Sequence, residues 1–321
     1  MAAVTGRTPV GAVPFKAMEA APSLATALFA DRVAEAVERK RSQLVAGLDP
    51  RPKLLPVELS GEAVLGREQA ASACARFCCG VIDAVAPYVV GVKPQLAFFE
   101  ALGAPGMAAF EEVCAYARSA DLLVIADAKR GDIGSTARAY AAAYLEDRDG
   151  APPLADAMTV HTYLGRESIE PFLNACRRNG AGLFCVVKTS NAGGDVQDLA
   201  LSDGSPLWHH VARLVASWGE ELVGERGLSS VGAVVGATHP RGVGEARRLL
   251  PQSILLLPGV GAQGATPADV ARAFTSGPAS ALVTVARSLI YAFRTSGLDW
   301  RTTTGSEAAR LRREVWAISG W

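Results

Sequence analysis

What this sequence lacks narrows what it can be. It has no net charge, because 32 lysines and arginines meet 32 aspartates and glutamates. No basic tail or patch stands apart from that balance, so nothing in the pattern recruits nucleic acid or an anionic membrane surface. No apolar run reaches the roughly 18 residues of a membrane span. The four histidines (His161, His209, His210 and His239) form no metal constellation, and the six cysteines include no CxxC pair. Three of those cysteines fall in the helical-looking "ASACARFCCG", where small apolar packing is their expected role. A chain this long needs no disulfides for its core, so the cytosol is the expected compartment. No Ser–His–Asp arrangement is present.

The first residues, "MAAVTGRTPVGAVPFKAMEAAP", are rich in Ala, Gly and Pro and lack the apolar centre of a secretory signal. Residues 1–22 are therefore expected to form a loose extension, with residues 23–321 as a single domain. Half the residues are apolar and a fifth are charged, which suits a globular protein with a large core.

What is present is a regular alternation. Short apolar, β-branched runs recur at 43–49, 89–94, 122–129, 157–161, 182–190, 231–238, 253–259 and 281–287. Segments with helical spacing separate them, such as "REQAASACARFCCGVIDAVA" and "STARAYAAAYLE". Strand and helix thus alternate, as in a parallel sheet covered on both faces. Eight units in about 280 residues predict an α/β fold, a (β/α)8 TIM barrel, ahead of a doubly wound open sheet.

Charge collects where these strands end. Asp49, Lys93, Asp127, Lys129, Lys188 and Arg287 all fall at strand C-terminal ends, one rim of a barrel and the rim where barrel enzymes carry their chemistry. Asp127 and Lys129 are two apart on one strand, so both point to the same face. A structural ion pair capping the barrel would look similar. Buried pairs are seldom net stabilising, however, so a run of them calls for another cause. Interleaved Lys and Asp hold each other charged while controlling the charge of a reacting group.

Two motifs mislead. "GVGAQG" (259–264) spells the G-x-G-x-x-G of dinucleotide folds, yet the next strand end reads "VTVARS" and offers Arg287 where an acid should bind ribose. Its backbone N–H groups, with Gln263 and Arg287, suit a phosphate instead, which barrels often hold after strands seven and eight. The "RGD" at 130–132 would serve adhesion only on an extracellular loop, and here it adjoins the charged rim. "VVKTSNAGG" (186–194) ends the fifth strand with hydroxyls, an amide and glycines, as a loop over a polar ligand or a simple turn would.

Taken together, "DAKRGDIGSTA", preceded by "GLDP" and "VKPQ" and followed by "KTSN", "PGVGAQG" and "ARS", resembles orotidine 5′-phosphate decarboxylase, in its longer bacterial form. The resemblance runs in order from about residue 24 to residue 320. It implies a carboxy-lyase that makes UMP, in the last step of pyrimidine nucleotide synthesis, with no cofactor and no metal. Lys93, Asp127 and Lys129 match the family's catalytic array, which Asp132 completes from the other subunit of a homodimer. Asp49 matches the acid that binds ribose hydroxyls, Thr136 a threonine from the partner, and Ser190 the serine that reads the pyrimidine amide. Gln263 and Arg287 match the phosphate ligands. The sequence departs at Ala192, where proline is expected, and at His161-Thr162, where Asn-Pro is common. The alternative is a Mg²⁺-dependent sugar-phosphate decarboxylase or aldolase on the same barrel.

Overall fold

The computed structural model describes residues 27–321 apart from Asp149 and Ala192. The expected extension over residues 1–22 and the departure at Ala192 lie outside the described residues. All eight apolar runs form strands: β1 (Leu44–Leu48), β2 (Gly91–Pro94), β3 (Leu123–Arg130), β4 (Ala157–Val160), β5 (Gly182–Lys188), β6 (Ser229–Val235), β7 (Ser253–Pro258) and β8 (Ala281–Val285). They pair in parallel and in sequence order, and β8 returns to β1 with Val45 opposite Thr284, so the sheet closes into an eight-stranded barrel. Helices cover its outside, among them Arg67–Val85, Ala104–Ser119, Gly134–Leu145, Arg166–Asn179, Leu207–Trp218 and Pro240–Leu249. Closure removes both sheet edges, which is how an all-parallel sheet with unbroken apolar strands satisfies its backbone.

Strand alternation sorts the apolar residues into two cores. One lies between sheet and helices and contains Phe77, Phe110, Phe172 and Phe274. The other fills the lumen with Val45, Ile125, Phe184, Val234, Ile254 and Leu282. The helix Phe29–Lys40 supplies the floor of that lumen. Phe29 packs edge-on against Phe184 at 5.9 Å between ring centroids, and its burial contributes about 2–3 kcal/mol. Gly182 permits this approach, since a Cβ there would lie 2.2 Å from the Phe29 ring. With the floor sealed by apolar side chains, the polar residues of the same strands are left at the opposite, C-terminal mouth. No helix among the described residues is long and apolar enough to cross a membrane.

Candidate active site

A cavity of about 520 Å³ opens at the C-terminal mouth of the barrel. Seven of the nine expected site residues line it: Asp49, Lys93, Asp127, Lys129, Ser190, Gln263 and Arg287. Asp127 is its centre and is buried near the end of β3. Each carboxylate oxygen accepts two bonds. Oδ1 takes the Lys129 ammonium at 2.5 Å and the Thr159 hydroxyl at 3.0 Å, while Oδ2 takes the Lys93 ammonium and the Gln95 amide, the latter at 3.0 Å.

The electrostatics follow from that geometry. Burial alone would raise the pKa of the Asp127 carboxyl, but Lys93 and Lys129 outweigh it and hold the group well below the usual carboxylate range. Burial pushes Lys93 toward its neutral form, and Asp127 and Asp49 more than reverse this, keeping it an ammonium. Asp49 goes the other way. Burial raises its carboxyl pKa, the nearby Lys93 offsets this in part, and Asp127 adds like-charge repulsion. Its Oδ1 is buried and lacks a hydrogen-bond partner among the described residues.

Lys129 reaches Asp127 by a route that strand alternation does not predict. The pairing of β3 with β4 slips between Ala126 and Arg130, and Lys129 has φ +45°, in the left-handed region that side chains seldom adopt. Its N–H donates 2.9 Å to the Thr159 hydroxyl. The pair therefore shares a face through a bulge and not through a regular pleat.

Two loops close over the rim. The Ser190 hydroxyl, after β5, donates to the Gln263 amide oxygen, after β7, at 2.6 Å. The glycine loop 259–264 packs on the short helix Arg287–Ile290 so tightly that a Cβ on Gly261 (φ +82°) would lie 2.3 Å from the Ser288 hydroxyl. The expectation that this loop offers its N–H groups to an anion needs correction in part. Those of Gly261, Gly264 and Ala265 donate to carbonyls of the same loop, while the loop's Gln263 and the neighbouring Arg287 line the cavity.

Asp132 and Thr136 do not line the cavity of their own chain. Asp132 is half-buried and its Oδ1 accepts from the N–H of Ile133 at 2.7 Å, and Thr136 is exposed on the first turn of the helix Gly134–Leu145. Lys188 also departs from the rim pattern. Both Asp198 carboxylate oxygens take its ammonium at 2.6 Å, and a register shift at the end of β5 accompanies this turn away from the cavity. In the "RGD" stretch, Arg130 pairs with Glu100 and lies 5.6 Å over the Tyr140 ring, so the tripeptide is tied to the rim. Lining residues that were given no role from the sequence include Arg51, Gln95, Phe98 and Thr159. Arg51 stacks 5.1 Å over Phe98. Gln95 follows directly on "VKP", and Thr159 is the polar residue inside "AMTV". No group of three or more His, Cys, Asp or Glu side chains suited to a metal converges among the described residues.

Comparison with known proteins bears on the same segments. The model of the "Orotidine 5'-phosphate decarboxylase / HUMPS family" matches residues 42–293, from the start of β1 to just beyond Arg287. A relative named orotidine 5'-phosphate decarboxylase, from Rhodopirellula baltica, is 46% identical over 270 residues, which is 83% of this chain and 89% of the relative. Another of that name, from Deinococcus radiodurans, is 44% identical over 275 residues, covering 85% of this chain and 92% of the relative. The solved OMP decarboxylase of Leishmania donovani superposes with a TM-score of 0.71 at 29% identity, covering 92% of this chain and all of the other. The barrel, the buried charge array and these relatives agree: the chain belongs to the orotidine 5'-phosphate decarboxylase / HUMPS family.

Proposed function

We propose that this protein decarboxylates orotidine 5′-phosphate to UMP and CO2 without a cofactor, through the Lys93–Asp127–Lys129 array. One observation carries the reading: a buried carboxylate held ionised between two ammonium groups in the cavity of a barrel of this family. Loss of CO2 from C6 of the pyrimidine leaves an electron pair there, with no carbonyl positioned to delocalise it. Fixed charge must then stabilise it, and the Lys129 ammonium is the group able to do so. The C6–carboxylate bond breaks, CO2 departs, and a proton passes from Lys129 Nζ to C6 to give UMP. Asp127, beside the departing carboxylate, holds the Lys129 ammonium in place through their ion pair.

The other lining residues take the rest of the substrate. Asp49, with its unpartnered buried oxygen, accepts from the ribose hydroxyls. Ser190 reads the pyrimidine amide, and Gln263 and Arg287 hold the phosphate at the mouth. Binding the remote phosphate tightens the two loops and lowers the barrier at the ring.

A homodimer completes each site. Asp132 and Thr136 stand outside their own cavity, and exposed apolar residues adjoin them: Ile133 beside Asp132, and Tyr163 with Leu164 on the neighbouring loop after β4. A partner covering that face would bury this apolar surface and bring its own Asp132 and Thr136 to the first chain's cavity. The protein acts in the cytoplasm on a small-molecule substrate, with neither nucleic acid nor membrane as a partner. The test is direct. Purified protein incubated with orotidine 5′-phosphate should release UMP, and recovery of unchanged substrate would overturn the reading.

A further inference from the structure

Thr159 lies at the end of β4, is 1% exposed, and lines the cavity beside Asp127 and Lys129. Its hydroxyl makes two bonds at once. It donates to Asp127 Oδ1 at 3.0 Å and accepts from the Lys129 N–H at 2.9 Å. Few side chains can do both, because the position requires one donor and one acceptor on a single buried atom.

The second bond falls where β3 leaves its ladder. On β3, Ala126 faces Met158 and Arg130 faces Val160, so four steps along one strand match two along the other. Lys129 lies inside that slip with φ +45°, one of three non-glycine residues with positive φ among the described residues. A backbone in this region persists only where its surroundings fix it. The Thr159 hydroxyl replaces the lost ladder partner of Lys129 and ties that backbone to the carboxylate its ammonium must meet.

We infer that Thr159 is a positioning residue: its hydroxyl fixes the left-handed backbone of Lys129 and one oxygen of Asp127, and so sets the aim of the ammonium at the reacting carbon. The inference rests on the proposed roles of Lys129 and Asp127. Thr159 itself touches neither the ribose ligand Asp49 nor the phosphate ligands Gln263 and Arg287 by hydrogen bond. Its loss should therefore be felt in turnover and not in substrate capture.

The test compares Thr159→Val, which keeps the shape and removes the hydroxyl, with Thr159→Ser, which restores it. Sites are counted by titration with a tight-binding 6-substituted UMP analogue, so that misfolded protein does not enter the rate. The expected result for Thr159→Val is a fall in kcat per site on the order of 10–100-fold, from loss of a hydrogen bond to a charged group. KM should stay within about threefold, and Thr159→Ser should return kcat to within about threefold of wild type. If the valine variant fails to fold, Thr159→Ala enters the same comparison. Unchanged kcat per site, a rise in KM alone, or a serine variant as slow as the valine one would each overturn the inference. Wild-type turnover alongside any of these outcomes leaves the decarboxylase reading standing, whereas a wild type with no turnover sinks both.

Discussion

Removing the charge of Asp127 should destabilise the fold as well as stop the reaction, and the size of that effect can be worked out from its neighbours. Lys93 is 6% exposed and its ammonium pairs with Asp127 Oδ2, so Asp127→Asn leaves a cation buried without its counter-ion. Breaking a buried pair from one side costs about 3–5 kcal/mol. For a chain of this size that is a fall in melting temperature of about 4–7 °C. Lys93→Met should cost less, about 1–3 kcal/mol, because Asp127 keeps its bonds from Lys129, Gln95 and Thr159. The double variant removes both charges of that pair. It leaves Asp49, whose carboxyl burial already pushes toward the neutral form, and Lys129, whose side chain is 38% exposed and remains partly solvated. Its cost should therefore fall short of the sum of the singles by about 2–3 kcal/mol. The pH dependence has a definite sign. The folded pKa of Asp127 is depressed, so its contribution is present above the unfolded value near 3.9 and is lost as pH falls through the folded one. Urea unfolding followed by far-UV circular dichroism, at pH 7 and in acid, measures all four corners of the cycle. Strictly additive losses, or an Asp127→Asn protein as stable as wild type, would refute the reasoning.

Further outcomes follow from the same geometry. Arg287→Ala should weaken binding of 6-substituted UMP inhibitors by at least tenfold, the value of a charge-assisted pair, while phosphate-free nucleosides bind both forms alike in calorimetry. Asp49 has a raised folded pKa, so its ionised form costs stability at pH 7 and that cost vanishes below the unfolded value near 3.9. Asp49→Asn should thus melt higher than wild type at pH 7, with the gap closing in acid, and turn over poorly. Homodimers of Lys129→Ala and of Asp132→Ala should each be nearly inactive. After random subunit exchange, half the dimers are hybrids with one intact site, and activity should return to about a quarter of wild type per site. Exchange confirmed by mass spectrometry without recovered activity would place Asp132 at its own chain's site and end the shared-site model.

The barrel was legible because its signal is repeated. Each apolar run that predicted a strand forms one, and shared chain order makes the rim charges of β1, β2, β3 and β8 converge. Asp49, Lys93, Asp127 and Arg287 were visible as charges at apolar strand ends, where burial without function is hard to justify. Thr159 was not, and Gln95 was visible only as the end of "VKPQ" with no role attached, because a neutral side chain that serves another residue carries no mark of its function in a single sequence. Lys188 looked like its neighbours and differs for a reason no spacing shows. A register shift and the Asp198 carboxylate ten residues on turn it aside. The bulge that sets Lys129 was equally hidden, since "DAKR" reads as regular strand and its left-handed residue is not glycine. The glycine loop was expected to offer its N–H groups to a phosphate, but its own internal hydrogen bonds had to be seen to learn that those of Gly261, Gly264 and Ala265 are already used.

The central claim is that Lys129, held by Asp127, does the chemistry without a metal. The loss of orotidine 5′-phosphate absorbance should be followed with wild type and Lys129→Ala, each in the presence and absence of EDTA. The account predicts the same wild-type rate in both conditions and a Lys129→Ala rate lower by at least about 10³-fold, the scale of losing both charge stabilisation and proton donor. Wild-type activity that vanishes with EDTA and returns with Mg²⁺ would contradict it and favour a metal-dependent reaction of the same barrel.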